Sequence, residues 1–134
     1  MLKLTFCLHR KPEMSREAFL KYWEHEHGPR VAGHLKAIGC KKYVQVRSIE
    51  GNLAKKIAKS RGGQKPFDGV AELWFENQDQ FIKHAITEHG MAAAKDLYKD
   101  EQKFIDMANS VIFLSEEQLV IEVNKRLESR LNQE

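Results

Sequence analysis

The stretch Tyr22-Trp23-Glu24-His25-Glu26-His27-Gly28-Pro29 marks the end of the first predicted helix and places a histidine side chain there. Ser15 is a good N-cap and Gly28-Pro29 is typical of a helix end, so the pattern predicts a helix over residues 15–27. At about 100° per residue, Trp23 and His27 lie on one side of this helix, beside its apolar stripe. His27 is therefore a candidate for proton transfer near neutral pH; in the alternative interpretation it only caps the helix or bonds a core carbonyl.

Alternation of apolar and polar residues around this helix predicts four strands. The first is the run Leu2–Leu8, and the others fall at about residues 41–48, 69–76 and 110–114. Further helices are expected from about residue 78 and over residues 91–106. The order strand, helix, strand, strand, helix, strand is that of the ferredoxin-like α+β fold, whose sheet carries helices on one face only.

The other face of this predicted sheet is half apolar. We expect it to carry Tyr43, Gln45, Glu72 and Trp74. A monomer seldom leaves such a surface exposed, and a symmetric pair of sheets packed face to face covers it. The sequence therefore predicts a homodimer.

Composition limits the classes of function. The chain has 134 residues, of which 42% are hydrophobic, and this suits a single domain. Its net charge of +3 comes from scattered Lys and Arg, so no nucleic-acid partner is expected. Cys7 and Cys40 lack metal-ligand spacing, and the closely spaced histidines lack the i,i+4 spacing of helical ligand pairs. With no apolar run near twenty residues, we expect a cytoplasmic protein with reduced thiols, no metal and no membrane contact.

A long basic connection, residues 50–66, joins the second and third predicted strands. Leu53 and Ile57 allow a short amphipathic helix within it. Either the connection is a lid that brings cations to an anionic substrate, or it is a solvated loop.

The C-terminal segment predicts another helix. Ser115 and Gln118 stand in capping-box positions, with Leu127 and Leu131 among the apolar residues that follow at helical spacing. We expect residues 118–134 to extend the domain of residues 1–117 and to pack at the dimer.

A series of short motifs, in order along residues 2–117, resembles a known family. The motifs are Arg10-Lys11-Pro12, Met14-Ser15, Phe19-x-x-Tyr22-Trp23-x-x-x-His27-Gly28-Pro29, Tyr43-Val44-Gln45, Arg61-Gly62-Gly63, the run 67–75 and Asp100-Glu101-x-x-Phe104-Ile105-Asp106. The chain is identified as similar to the EthD family of the dimeric α/β-barrel superfamily. Phe67 stands where many relatives carry a tyrosine, so a hydroxyl at that position is not a shared catalytic group.

The resemblance implies a fold and a small pocket for an apolar or aromatic molecule. Relatives resemble dehydratases and decarboxylases of aromatic polyketide pathways, and the superfamily also holds cyclases and cofactor-free monooxygenases. Fold alone does not choose among these lyase and oxidoreductase activities. No cofactor is expected.

Two surfaces are candidates for the pocket. One is the sheet face, where Glu72 is a candidate acid or base and Tyr43, Gln45 and Trp74 form walls. In the alternative interpretation, Glu72 and Tyr43 only make hydrogen bonds across the dimer interface. The other lies between helix and sheet, near Tyr22, Trp23 and His27. The carboxylates of Asp100-Glu101 and Asp106 are expected either on a solvated helix face or as N-cap partners of a neighbouring loop, and not as catalytic groups.

Two hypotheses of different classes follow. In the first, which the resemblance favours, the protein is a cofactor-independent enzyme acting on an apolar or aromatic carbonyl compound. The catalytic candidates are then His27, as a proton shuttle, and Glu72. The substrate-binding candidates are Tyr22, Trp23, Tyr43, Gln45 and Trp74. In the second hypothesis a non-catalytic dimer binds an apolar metabolite or assists an oxygenase system.

Overall fold

An antiparallel sheet of four strands is the base of the described part of the chain, which comprises residues 1–124, 130 and 132 in this computed structural model. The strands are β1 (Leu2–Leu8), β2 (Cys40–Arg47), β3 (Gly69–Phe75) and β4 (Val111–Glu116). They lie in the order β2-β3-β1-β4 with all neighbours antiparallel. This confirms the ferredoxin-like α+β fold.

The first helix is longer than expected and changes its winding in the middle. Helix α1 (Arg16–Tyr22) passes through a π-helical turn (Trp23–His27) directly into α2 (Gly28–Ile38). The prediction that Gly28-Pro29 ends the helix is wrong. Proline has no N–H and collides with the carbonyl four residues earlier, and the wider π turn, in which Gly28 N–H donates to the Trp23 carbonyl, accommodates it. The helix ends instead at Gly39, whose φ of 74° is left-handed.

Three further helices follow, one in the connection between β2 and β3 and two after β3. They are α3 (Asn52–Ser60), α4 (Gln78–Ala85) and α5 (Glu88–Glu101), followed by a 3-10 turn (Met107–Asn109). Helix α3 is the short amphipathic helix expected within the basic connection. Helix α5 begins earlier than predicted, because the Thr87 side chain caps its first turn by accepting from Gly90 N–H, and it also ends earlier, at Glu101.

Strand register divides the residues that were expected to share one sheet face. A bulge between Cys40 and Lys42 precedes the pairing of Tyr43 with Leu73 and of Gln45 with Ala71. Directly paired residues point to the same face, so Tyr43 and Gln45 lie on the helix side. Glu72 and Trp74 lie on the opposite, open side. The prediction of a common surface for these four residues is wrong, because register depends on pairing between distant segments and not on local alternation.

The C-terminal helix is not observed where it was expected to begin. Ser115 lies in β4 and pairs with Lys3, since β4 remains hydrogen-bonded to β1 as far as Glu116. Residues 117–124 form neither helix nor strand. Leu127 and Leu131 of the predicted helix lie outside the described residues.

The core between the sheet and the helices is rich in aromatic residues. Phe19, Trp23 and Phe104 are fully buried. The ring centroid of Phe19 lies 5.6 Å from the ring centroid of Trp23 and 5.6 Å from that of Phe104. Leu8 and Ala71 supply the sheet side of the same cluster. Burying aromatic rings of this size supplies a large share of the hydrophobic stabilisation.

Gly69 is the position where this packing is tightest, and we predict that Gly69→Ala destabilises the fold. A Cβ there would lie 2.4 Å from the Trp23 ring, which cannot move without opening the core. We expect a loss of about 1–3 kcal/mol in the free energy of unfolding, measured by urea denaturation. Gly33→Ala is the control, because a Cβ at this exposed position in α2 meets nothing within 4 Å. It should stabilise the protein by about 0.5–1 kcal/mol.

Candidate functional site

His27 and Asp100 form a buried pair between the π turn and the last turn of α5. The His27 Nδ1 atom lies 2.7 Å from Asp100 Oδ2, and the two side chains are 6% and 2% exposed. The other carboxylate oxygen, Oδ1, accepts a hydrogen bond of 2.6 Å from the Tyr22 hydroxyl. Arg30 Nε and Lys103 Nζ lie 3.7 and 3.5 Å from the same oxygen. The buried carboxylate is thus bonded at each oxygen and faces two cations.

These contacts decide the charge of each partner. Burial raises the pKa of Asp100, but the hydrogen bonds from Tyr22 and His27 outweigh it and hold that pKa below its usual value. Burial lowers the pKa of His27, and the bond to Asp100 only partly opposes this. At neutral pH Asp100 is ionised and His27 is neutral. Because the carboxylate can only accept, His27 carries its proton on Nδ1 and leaves the Nε2 lone pair free for a proton.

Glu101 adds a second titratable group beside this lone pair. Its Oε2 lies 4.0 Å from His27 Nε2, and its side chain is mostly buried. Burial, and then the negative charge of Asp100, raise the pKa of Glu101 to about 7. Near neutral pH Glu101 is therefore protonated in part and can give a proton.

A cavity of about 210 Å³ lies between the helices and the sheet, and these groups are in its wall. An apolar cavity of about 150 Å³ is enough to hold benzene, so this one accommodates a molecule of one aromatic ring with a substituent. Its polar side chains are His27, Glu101 and Tyr43, among the lining residues Leu4, Phe6, Leu8, Trp23, Val31, Ile38, Ala71, Leu73, Phe75, Phe81, Ala85, Gly90, Ala94, Leu97, Ile105 and Ile112.

The structure brings together five of the seven residues predicted for the site. Trp23, His27 and Tyr43 line the cavity. Tyr22 supports it through Asp100, and Gln45 supports it by donating to the Tyr43 oxygen at 2.9 Å. Of the two candidate pockets, the one between helix and sheet therefore has five of the predicted residues in or beside its wall.

Glu72 and Trp74 are separated from this group by the thickness of the sheet. Glu72 accepts a 2.6 Å bond from Lys3, and Trp74 Nε1 donates to Glu117 at 2.8 Å. The ammonium groups of Lys3 and Lys42 lie over the Trp74 ring. Neither residue reaches His27.

Sequence reasoning missed Asp100 and Glu101, which were expected on a solvated face. A usable signal was present, because Ala93, Leu97 and Phe104 stand at spacings that place Asp100 on the same buried side of the segment. Charged residues on an apolar stripe at a helix end are unusual, and their partners are then worth seeking.

The described residues offer neither a metal cluster nor a membrane-spanning helix. No group of three or more His, Cys, Asp or Glu side chains there is arranged to hold a metal ion. Nor does any described helix have the length and apolar character needed to cross a bilayer.

We predict that Glu101 makes the stability of the protein depend on pH. Its pKa rises from 4.5 to about 7 on folding, so its stabilising contribution is complete below pH 4.5 and is lost as the pH rises through 7. That loss is about 3 kcal/mol. Relative to the wild type, Glu101→Gln should therefore gain stability between pH 4.5 and pH 8, measured by urea unfolding across this range.

Glu13→Gln makes the same chemical change at an exposed position outside the cavity and is the matched control. A difference for Glu101→Gln that stays constant with pH would contradict the elevated pKa.

Comparison with known proteins agrees with this fold. The EthD domain matches residues 11–108. An ethyl tert-butyl ether d (EthD) family protein from Bacillus halodurans is 21% identical, with 88% of this chain and 99% of that chain covered and a TM-score of 0.59. An EthD-like protein from Ralstonia eutropha is 17% identical over 93% and 97% of the chains, with a TM-score of 0.57.

A third structure, HapK from Hahella chejuensis, is 10% identical over 92% and 98% of the chains, with a TM-score of 0.53. At these identities the structures establish the fold alone. No curated protein matches the sequence. The match over residues 11–108 covers most of the chain, and the protein therefore belongs to the EthD domain family.

Proposed function

We propose that the protein is a cofactor-independent enzyme that moves a proton next to the carbonyl group of a small apolar or aromatic compound. The observation that carries this proposal is the neutral His27, whose Nδ1 is held by buried Asp100 while Nε2 is free beside an apolar cavity. A general base needs a free lone pair, a fixed orientation and a substrate within reach. The site supplies the first two and the space for the third.

Asp100 is the orienting partner of His27. It holds the imidazole in one tautomer and, when Nε2 takes a proton, its charge stabilises the imidazolium that forms. Tyr22 in turn fixes the carboxylate at 2.6 Å. The positive charge of the intermediate state is thus balanced within the buried pair.

Glu101 is the complementary acid. In a dehydration, His27 takes the proton from the carbon next to the carbonyl, the carbon–carbon double bond forms, and the hydroxyl leaves with a proton from Glu101 as water. With a pKa of about 7, Glu101 holds its proton in a substantial fraction of molecules at neutral pH. Neighbouring groups with displaced pKa values are a common arrangement for paired acid and base roles.

The open face of the sheet supports a separate proposal, a homodimer. Trp74 lies on this face with five apolar side chains, Val44, Val46, Val70, Val111 and Phe113. Phe113 is 47% exposed and Val111 is 49% exposed. We assign Glu72 and Trp74 to this surface rather than to catalysis.

Cys7 and Cys40 are free thiols, which supports a reducing, cytoplasmic location.

The proton-transfer proposal is tested with acetophenone, a probe of one ring and one carbonyl. We predict that the wild type catalyses exchange of its methyl protons for deuterium in D₂O, followed by NMR, because the general base removes them reversibly. His27→Gln should lower this exchange by about 10² to 10⁴-fold. Circular dichroism and urea unfolding establish that the variant is folded.

His34→Gln is the matched control, because His34 lies on α2 outside the cavity and bonds Asp96. It should exchange at the wild-type rate. Wild-type protein that binds acetophenone without accelerating exchange would argue for the non-catalytic carrier instead.

The dimer is tested by native mass spectrometry. We predict a dimer for the wild type and a shift to monomer for Phe113→Lys, since a charge buried between apolar sheets is costly. Ile86→Lys, at a position 70% exposed beyond α4, should remain dimeric. A wild-type monomer at micromolar concentration would contradict the proposed interface.

A further inference from the structure

Within the described part of the chain, the Tyr43 hydroxyl in the cavity wall has no acceptor for its proton. Tyr43 projects from β2 to the helix side, paired with Leu73, and lines the cavity. Its oxygen accepts a 2.9 Å hydrogen bond from Gln45 Nε2. The direction of this bond decides where the phenolic proton can go.

Gln45 can only act as the donor in this contact. Its Nε2 atom also donates to the Trp23 carbonyl at 2.8 Å, so the two amide hydrogens are divided between the two oxygens. Turning the amide over would bring its oxygen against the Trp23 carbonyl, where two acceptors would face each other. The orientation is therefore fixed, and Tyr43 accepts.

The Trp23 carbonyl is held in place by the π turn. It receives the Gly28 N–H within the turn and the Gln45 amide from the sheet, so its two lone pairs are used. The irregular winding thus positions Gln45, and Gln45 positions the Tyr43 oxygen. The proton of Tyr43 is left to point elsewhere.

Tyr43 keeps this proton at neutral pH. Burial raises its pKa, the hydrogen bonds from the Gln45 and Trp23 side chains lower it only in part, and the charge of Glu101 raises it again. A donor that lacks an acceptor in a largely apolar cavity carries a free-energy cost. A ligand that brings an acceptor oxygen into the cavity removes this cost.

We propose that Tyr43 donates a hydrogen bond to the carbonyl oxygen of the bound molecule, with Gln45 as its positioning residue. The ligand class is a compound of about one aromatic ring with a single acceptor oxygen near His27. When His27 removes the neighbouring proton, negative charge develops on this oxygen, and the same hydrogen bond then strengthens. The inference rests on the proposed function, because it concerns the same cavity.

Two probes of similar size separate the oxygen contact from apolar burial. Acetophenone carries the carbonyl oxygen and ethylbenzene lacks it, and their dissociation constants are measured by isothermal titration calorimetry. Water solvates acetophenone better than ethylbenzene, so the affinity for acetophenone alone does not isolate the hydrogen bond. The informative quantity is the ratio of the two dissociation constants and the change of this ratio on mutation. Tyr43→Phe should weaken acetophenone binding by about tenfold and leave ethylbenzene binding unchanged.

Tyr98→Phe makes the same chemical change at an exposed position on α5 and should leave the two constants unchanged. For Gln45, the readout is the infrared carbonyl stretch of bound acetophenone. We expect this band at lower wavenumber in the wild type than in Tyr43→Phe. In Gln45→Met the band should lie close to its position in Tyr43→Phe. A merely structural role of Gln45 would change affinity without moving the band.

The outcomes distinguish this inference from the proposed function. If Tyr43→Phe changes the binding of the two probes equally, the Tyr43 role is wrong, while His27-dependent exchange still supports the enzyme. If the ratio changes as expected but the wild type catalyses no exchange, the proposed reaction is wrong and the donor role is supported. If neither probe binds, both proposals are overturned.

Discussion

The buried contact between His27 and Asp100 is the constraint on which the rest of this structure depends. A carboxylate that is 2% exposed is tolerable only with charged or hydrogen-bonding partners on its oxygens. Removing one partner of such a pair costs about 3–5 kcal/mol, because a charge is left buried and unpaired. The pair therefore fixes the end of α5 against the π turn, and it also decides which nitrogen of His27 is free.

The π turn serves the fold and the site through one irregularity. Pro29 cannot continue an ordinary helical ladder, and the wider turn accommodates it while α1 and α2 remain one continuous rod. The same turn places His27 over Asp100 and presents the Trp23 carbonyl to Gln45 on the sheet. The helix layer and the sheet are thus joined by polar contacts at the place where the cavity lies.

Local patterns predicted much of this arrangement. Alternation located all four strands, and the stripe containing Trp23 and His27 correctly placed the histidine beside the core. The side of the sheet that carries Tyr43 depends on pairing with Leu73, which is distant in the chain, and alternation alone could not supply it. Asp100 was missed because carboxylates are exposed by default, and its partners come from another helix.

Asp100 and Glu101 are neighbours in sequence, yet their environments separate their chemistry. Consecutive helical residues point about 100° apart, so Asp100 faces Tyr22 and His27 while Glu101 lines the apolar cavity. Hydrogen bonds keep the first ionised, and burial raises the pKa of the second to about 7. The ionised neighbour also helps to keep Glu101 protonated, because a second charge so close is disfavoured. One helical turn thereby places an ionised carboxylate and a partly protonated one beside the same histidine.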